Sequence, residues 1–426
     1  MSELYDVCKT IDCDEPEKIE SYVRRFYDGT IPNGHIFGNL NRWYNMDSPG
    51  VVQLLRLYLN EFASLFRADG KYKIYASTPC PQILPNVLSS TGKIKVNTAE
   101  LCSMVVLQGI LGQPPVKTMC CWSSRCAMLD NRKGFVQSGI LPKPDMLWSF
   151  GLLCDECCKT DELLCESVGI PQINCFCAKA FDDCRFQRYE KNLRDNISVI
   201  IDLAGADMPD AAPVYRKTEK AAILSSTICC NNAGRRQPPL KAATISLIQT
   251  SQLMAFQDVG KLSEVLEFIM KDMRHMSGAA NSTKLYSYYI PPCMPELCSI
   301  YENNGIVLAG SAAFITKPVQ YSHSKTLCGM AAAAWDASIL SRSNDEYSLE
   351  TAKAIKKYNC DGYLNGMFGF DRWLGSGHRI TDREIGRLSG KPVFQCSTDF
   401  WGRGFNRSKI ESLAETTAYL IKANQQ

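Results

Sequence analysis

"PDMLWSFGLLCDECCKTDELLCESVGIPQINCFC", residues 144–177, reads as strand, helix, strand. The runs DMLWSFGLL and PQINCFC are short and apolar, and the segment between them, CDECCKTDELLCESVG, suits a helix that ends at Gly169. Two strands joined by one helix imply a parallel pair, because a parallel crossover needs a connection of about a dozen residues or more.

Upstream, KYKIYAST (71–78) and GKIKVNT (92–98) are further short apolar runs between Pro and Gly signals, and a helix is expected from about 98 to 112. Residues 1–70 read as helical, with PEKIESYVRRFYDG and GVVQLLRLYLNEFASLFRADG carrying apolar residues at helical spacing. KAATISLIQTSQLMAFQ and KLSEVLEFIMKDMRHM mark a second helical section. The alternation then returns with KLYSYYIPP, GIVLAGS, DGYLNGMFGF and KPVFQCSTD, and a final amphipathic helix, RSKIESLAETTAYLIKA. The expected fold class is α/β, with two small parallel-sheet, Rossmann-like lobes plus a helical part. The expected divisions are an N-terminal helical segment (1–70), a first α/β lobe (71–210), a helical region (211–284) and a second α/β lobe (285–426). The two lobes are candidates for related units.

The net charge of +3 arises from 47 basic and 44 acidic residues scattered along the chain, which gives no field that favours nucleic acid or anionic membrane. Neither a signal-peptide h-region nor an apolar run of membrane-spanning length is evident, so a cytoplasmic protein is expected. No G-x-x-x-x-G-K-[ST] is present, GRLSGKP near 386 being too short, so ATP dependence would come from a partner. The four histidines lie far apart, which speaks against a zinc finger, and no G-x-S-x-G elbow occurs.

Twenty-one cysteines are the strong local signal. In a reducing compartment they indicate buried packing, metal binding or thiol chemistry before disulfides. Cys120, Cys121 and Cys126 precede a turn, Cys154 ends the strand run, and Cys157 and Cys158 fall in the first turns of the following helix. The carboxyl edge of a parallel sheet is where ligands collect, and a helix N-terminus favours thiolate. Cys175, Cys177, Cys184, Cys229 and Cys230 form a second reservoir, expected to be packing more than site.

Several stretches together resemble the 2-hydroxyacyl-CoA dehydratase and benzoyl-CoA reductase family. They are CWSSR from Cys121 to Arg125, GILPKPDM at 139–146, Cys154 nine positions after Asp145, and ESVGIPQI at 166–173. YASTPCPQILPNVLSSTGKIKV, YYIPPCMPELCSIYENNGIVLAGS, KKYNCDGYLNGMFGFDRWLGSGHR and SGKPVFQCSTDFWGRGFNRSKIESLAE extend the likeness over about residues 70–422. The resemblance implies a subunit, paired in a homo- or heterodimer around [4Fe-4S] clusters, and one electron delivered by an ATP-hydrolysing activator protein. The reaction it implies is radical syn or anti elimination of water from an acyl-CoA thioester, or reduction of an aromatic thioester. It selects Cys121 and Cys154 as cluster ligands. The family's third cysteine is expected after DGYLNGMFGF, where this chain has Gly369, Phe370 and Asp371. Asp371, Cys126, Cys157 and Cys158 are therefore the candidates for a remaining ligand, while Cys360 stands at the far end of that strand. The surplus cysteines also suit a larger double-cubane [8Fe-9S] cluster, and the missing one leaves open a cluster-free structural subunit. Ser77 and Glu100 approximate the positions of polar groups near the thioester, against the alternatives of a strand-end hydroxyl and an exposed helix-start carboxylate. Asp399 is a candidate helix cap or subunit contact.

Overall fold

The computed structural model describes all residues except 1–2, 27–35, 79, 113–126, 138, 152–154, 177–183, 279–281, 292, 313–325, 338–342, 369–371, 399–405 and 426. The chain is α/β, with two four-stranded parallel sheets. β1 (Tyr72–Ala76), β2 (Ile94–Asn97), β3 (Met146–Phe150) and β4 (Gln172–Cys175) are ordered β2-β1-β3-β4. β5 (Thr283–Ser287), β6 (Ile306–Ser311), β7 (Gly362–Phe368) and β8 (Val393–Thr398) repeat that order as β6-β5-β7-β8.

The strand run that began the sequence reading is shorter than expected: β3 stops at Phe150, where Gly151 N–H donates to Cys175 O at the end of β4. The expected 98–112 helix is divided, α-helical over Ala99–Met104 and π-helical over Val105–Ile110. The extra residue per hydrogen-bonded ring is accommodated in a segment buried throughout, where packing outweighs the preference for α geometry.

Alternation along the first sheet distributes its side chains to two layers. Ile74, Ala76, Val96, Met146, Trp148 and Phe150 join one core cluster, while Tyr75 and Leu147 join the other. Both faces are thus covered, as a parallel sheet requires. The face of Tyr75 and Leu147 carries the site described below.

The lobes share more than strand order. Asp145, just before β3, accepts from Lys73 N–H at 2.7 Å and donates its own N–H to Lys73 O at 2.8 Å. Asp361, just before β7, accepts from Lys284 N–H at 2.8 Å and returns the bond to Lys284 O at 2.7 Å. Each aspartate satisfies a strand-start amide and fixes register, pairing Ile74 with Met146 and Leu285 with Gly362. Ser77 N–H to Trp148 O and Tyr288 N–H to Leu364 O, both 2.9 Å, are equivalent bonds past the other ends of β1 and β5. The two lobes are built as related units.

Each sheet is also tied to a helix end by a buried lysine. Lys95 Nζ donates to Ser64 O at the end of the helix Pro49–Ser64. Lys284 Nζ donates to Ala233 O at 3.0 Å and Arg235 O at 3.1 Å, capping the helix Ala211–Gly234. A cation on the orphan carbonyls of a helix C-terminus is favoured by both hydrogen bonding and the helix dipole. Lys284→Met keeps the aliphatic stem and leaves those carbonyls unmet, so it is expected to destabilise the fold by about 1–3 kcal/mol. A urea titration checks this: the midpoint should fall with the slope unchanged.

Candidate functional site

Three helices and two strands meet at the carboxyl end of the first sheet. Ser77 follows β1 directly; its Oγ accepts from Phe150 N–H at 2.6 Å and so bridges the ends of β1 and β3. Glu100 sits in the first turn of the helix Ala99–Met104, and Arg132 comes from the helix Ala127–Gln137. Cys157 and Asp161 are four residues apart on the helix Asp155–Val168, a spacing that puts both on one face.

Arg132 joins these elements. Its Nε donates to Glu100 Oε2, and its Nη1 donates to Asp161 Oδ1 at 2.7 Å and to Cys157 Sγ at 3.0 Å. All three charged side chains are buried, each less than a tenth exposed. Asp161 Oδ2 accepts from Ser149 Oγ, which in turn accepts from Gln172 Nε2 at 2.9 Å. Gln172 Nε2 also donates to Cys158 O at 3.0 Å and Asn174 Oδ1 at 2.8 Å, so the network reaches β4.

Burial pushes the Glu100 carboxyl up to about 7, with Arg132 opposing the rise and Asp161 adding to it. Burial also opposes charge on Arg132, but Asp161, Cys157 and Glu100 together outweigh it and keep the guanidinium protonated. The Cys157 thiol is pushed up by burial, only partly offset by Arg132.

A cavity opens between these groups, lined by Tyr75, Ser77, Glu100, Arg132, Leu147 and Asp161 among others. It measures about 20 Å³, counted as the space open to the centre of a water molecule, where one water needs about 10–15 Å³. Two buried polar atoms of this group have no hydrogen-bond partner: Glu100 Oε1 and Arg132 Nη2.

Ser77 and Glu100, singled out in the sequence, therefore line one cavity. The alternative of an exposed carboxylate at Glu100 is corrected: only 6% of the residue is exposed, because the helix start lies under the helix that carries Arg132. Cys157 and Cys158 are buried at the same sheet edge. A Cβ at Gly151 would lie 3.0 Å from Cys158 Sγ and from Phe176 Cδ1, so a side chain there would require both neighbours to shift slightly. Cys120, Cys121, Cys126, Cys154, Cys177, Asp371 and Asp399 lie outside the described residues.

Among the described residues no group of three or more His, Cys, Asp or Glu is placed to hold a metal ion, and Cys157 with Cys158 is not by itself a ligand set. Thirteen of the sixteen described cysteines are buried, Cys175 and Cys360 among them. Most of the described sulfur thus serves packing. No protein-family model matches the chain, and no curated protein matches it significantly.

The Glu100 carboxyl ties stability to pH. Its folded value is above the unfolded one near 4.3, so its contribution is present at low pH and lost as pH rises through about 7. Glu61 and Glu302 are raised by burial to about 7 as well. The difference between Glu100→Gln and the native chain isolates Glu100. Denaturant titrations from pH 5 to pH 8 should show the variant gaining on the native chain by on the order of 1–3 kcal/mol; a constant difference would contradict the assignment.

Proposed function

We propose that the chain is the iron–sulfur subunit of a lyase similar to 2-hydroxyacyl-CoA dehydratases, acting in the cytoplasm on an acyl-CoA thioester. In this reading it pairs with a related subunit, either a copy of itself or a different chain, and receives single electrons from an ATP-hydrolysing activator. The observation that carries it is the meeting of Ser77 and Glu100 in one buried cavity at the carboxyl edge of β1 and β3. In the sequence, Cys154 follows the last residue of β3 by four positions.

The ligands of the reading are Cys121 and Cys154. A bound [4Fe-4S] cluster supplies low-potential electrons. The roles of the other side chains follow from their surroundings. Ser77 Oγ, fixed by Phe150 N–H, orients a polar group of the substrate. Glu100 holds or accepts a proton at Oε1, which a carboxyl raised to about 7 does readily near neutral pH. Arg132 and Asp161 position that carboxyl and exclude bulk water from it.

Among the described residues no helix is long and apolar enough to cross a membrane.

Iron and acid-labile sulfide per chain, measured anaerobically with an EPR spectrum of the reduced protein, test the reading. About four irons are expected, falling sharply in Cys121→Ala and Cys154→Ala. About eight would replace this reading with a double-cubane reductase, and none would leave a cluster-free structural subunit.

A further inference from the structure

A guanidinium usually meets a carboxylate side-on, its Nε and Nη2 each donating to one carboxylate oxygen. Arg132 and Glu100 complete only half of that arrangement: Nε reaches Oε2, while Nη2 and Oε1, which would be partners in the closed form, are both buried and unpaired. Both residues line the cavity, and its 20 Å³ admits about one oxygen-sized group. Leaving a buried donor and a buried acceptor unsatisfied costs about 1–3 kcal/mol each, so the opened fork is a site that a ligand completes.

The chemistry of that group follows from hydrogen-bond inventory and charge. It must accept from Nη2, and it must donate to Oε1 when Glu100 is ionised or accept from Oε1 when the carboxyl holds its proton there. A carboxylate has no proton to donate, and an ammonium has no lone pair to accept. With Asp161 ionised, the cluster carries one net negative charge when Glu100 is ionised and none when it is protonated, which also disfavours an anion. A neutral hydroxyl meets every condition and is the smallest group that does.

We propose that the gap between Arg132 Nη2 and Glu100 Oε1 seats a hydroxyl group of the bound ligand, and that Arg132 is the residue that makes binding specific for it. The inference rests on the acyl-thioester reading and adds to it a specificity-determining arginine.

The test is calorimetric binding of lactoyl-CoA and propionyl-CoA, which differ by one hydroxyl, to the anaerobically purified protein. The native chain should prefer lactoyl-CoA by roughly ten-fold or more. Arg132→Lys, which keeps the charge but lacks the planar fork, should bring the ratio close to one. Glu100→Gln probes the gap from its other side and should also lower the ratio; it decides the matter if circular dichroism shows Arg132→Lys unfolded. A native ratio near one, or a preference that survives substitution, overturns the inference and leaves the thioester reading standing. Failure of the native chain to bind either thioester overturns both.

Discussion

Removing a guanidinium from water costs several kcal/mol even after the protein relaxes, and the first lobe accepts that cost at Arg132. Two carboxylates, from the helices Ala99–Met104 and Asp155–Val168, converge on the helix that carries Arg132. Ser149 in β3, itself held by Gln172 in β4, then satisfies the remaining side of Asp161. Loss of any charged partner would strand another charge in the core, so these elements are held in mutual position by electrostatics as well as by packing. The cavity is a consequence of the same arrangement, since it lies where the fork between Arg132 and Glu100 stays open.

The abundance of cysteine has a plainer cause over much of the chain. Cys80, Cys102, Cys298 and Cys396 are members of the core clusters alongside leucines and isoleucines, and burial raises their thiols above the ordinary range. A thiol held protonated in an apolar setting behaves as a small hydrophobe. Cys157 differs in facing a charged group, Arg132, at 3.0 Å.

The parallel strands were legible in the sequence because each is a short apolar run between turn residues, and the helix over 155–168 was legible because it links two of them. Ser77 and Glu100 were legible only through a family resemblance. Arg132 and Asp161 were not legible at all. Both stand in helical segments rich in polar residues, DNRK and CKTDE, where periodicity places charge on a solvated face. Their burial is decided by the layer packed over them, which local pattern does not encode. The π-helical turn at Val105–Ile110 escaped for a similar reason: its residues have ordinary helix-forming character, and the altered ring size comes from tertiary packing.

The two lobes share strand order, the aspartate that locks register and a buried lysine on a helix end, so the difference between them at one register position is informative. Ser149 in β3 and Asn365 in β7 occupy equivalent places, and each donates to an aspartate on the following helix. In the second lobe Asp382 takes Asn365 Nδ2 at 2.7 Å and Gln395 Nε2 at 2.8 Å, two neutral amides. In the first lobe Asp161 takes a hydroxyl and Arg132, and that guanidinium draws Glu100 into the interior. Neutral donors satisfy an acid without importing a second one. A buried cation neutralises one carboxylate and draws in another, which burial raises to about 7 against the pull of that cation and which keeps an oxygen to spare. The same scaffold thus holds its aspartate with two neutral amides in one lobe and with a hydroxyl and a guanidinium beside a cavity in the other, the difference being whether the aspartate's second donor carries charge.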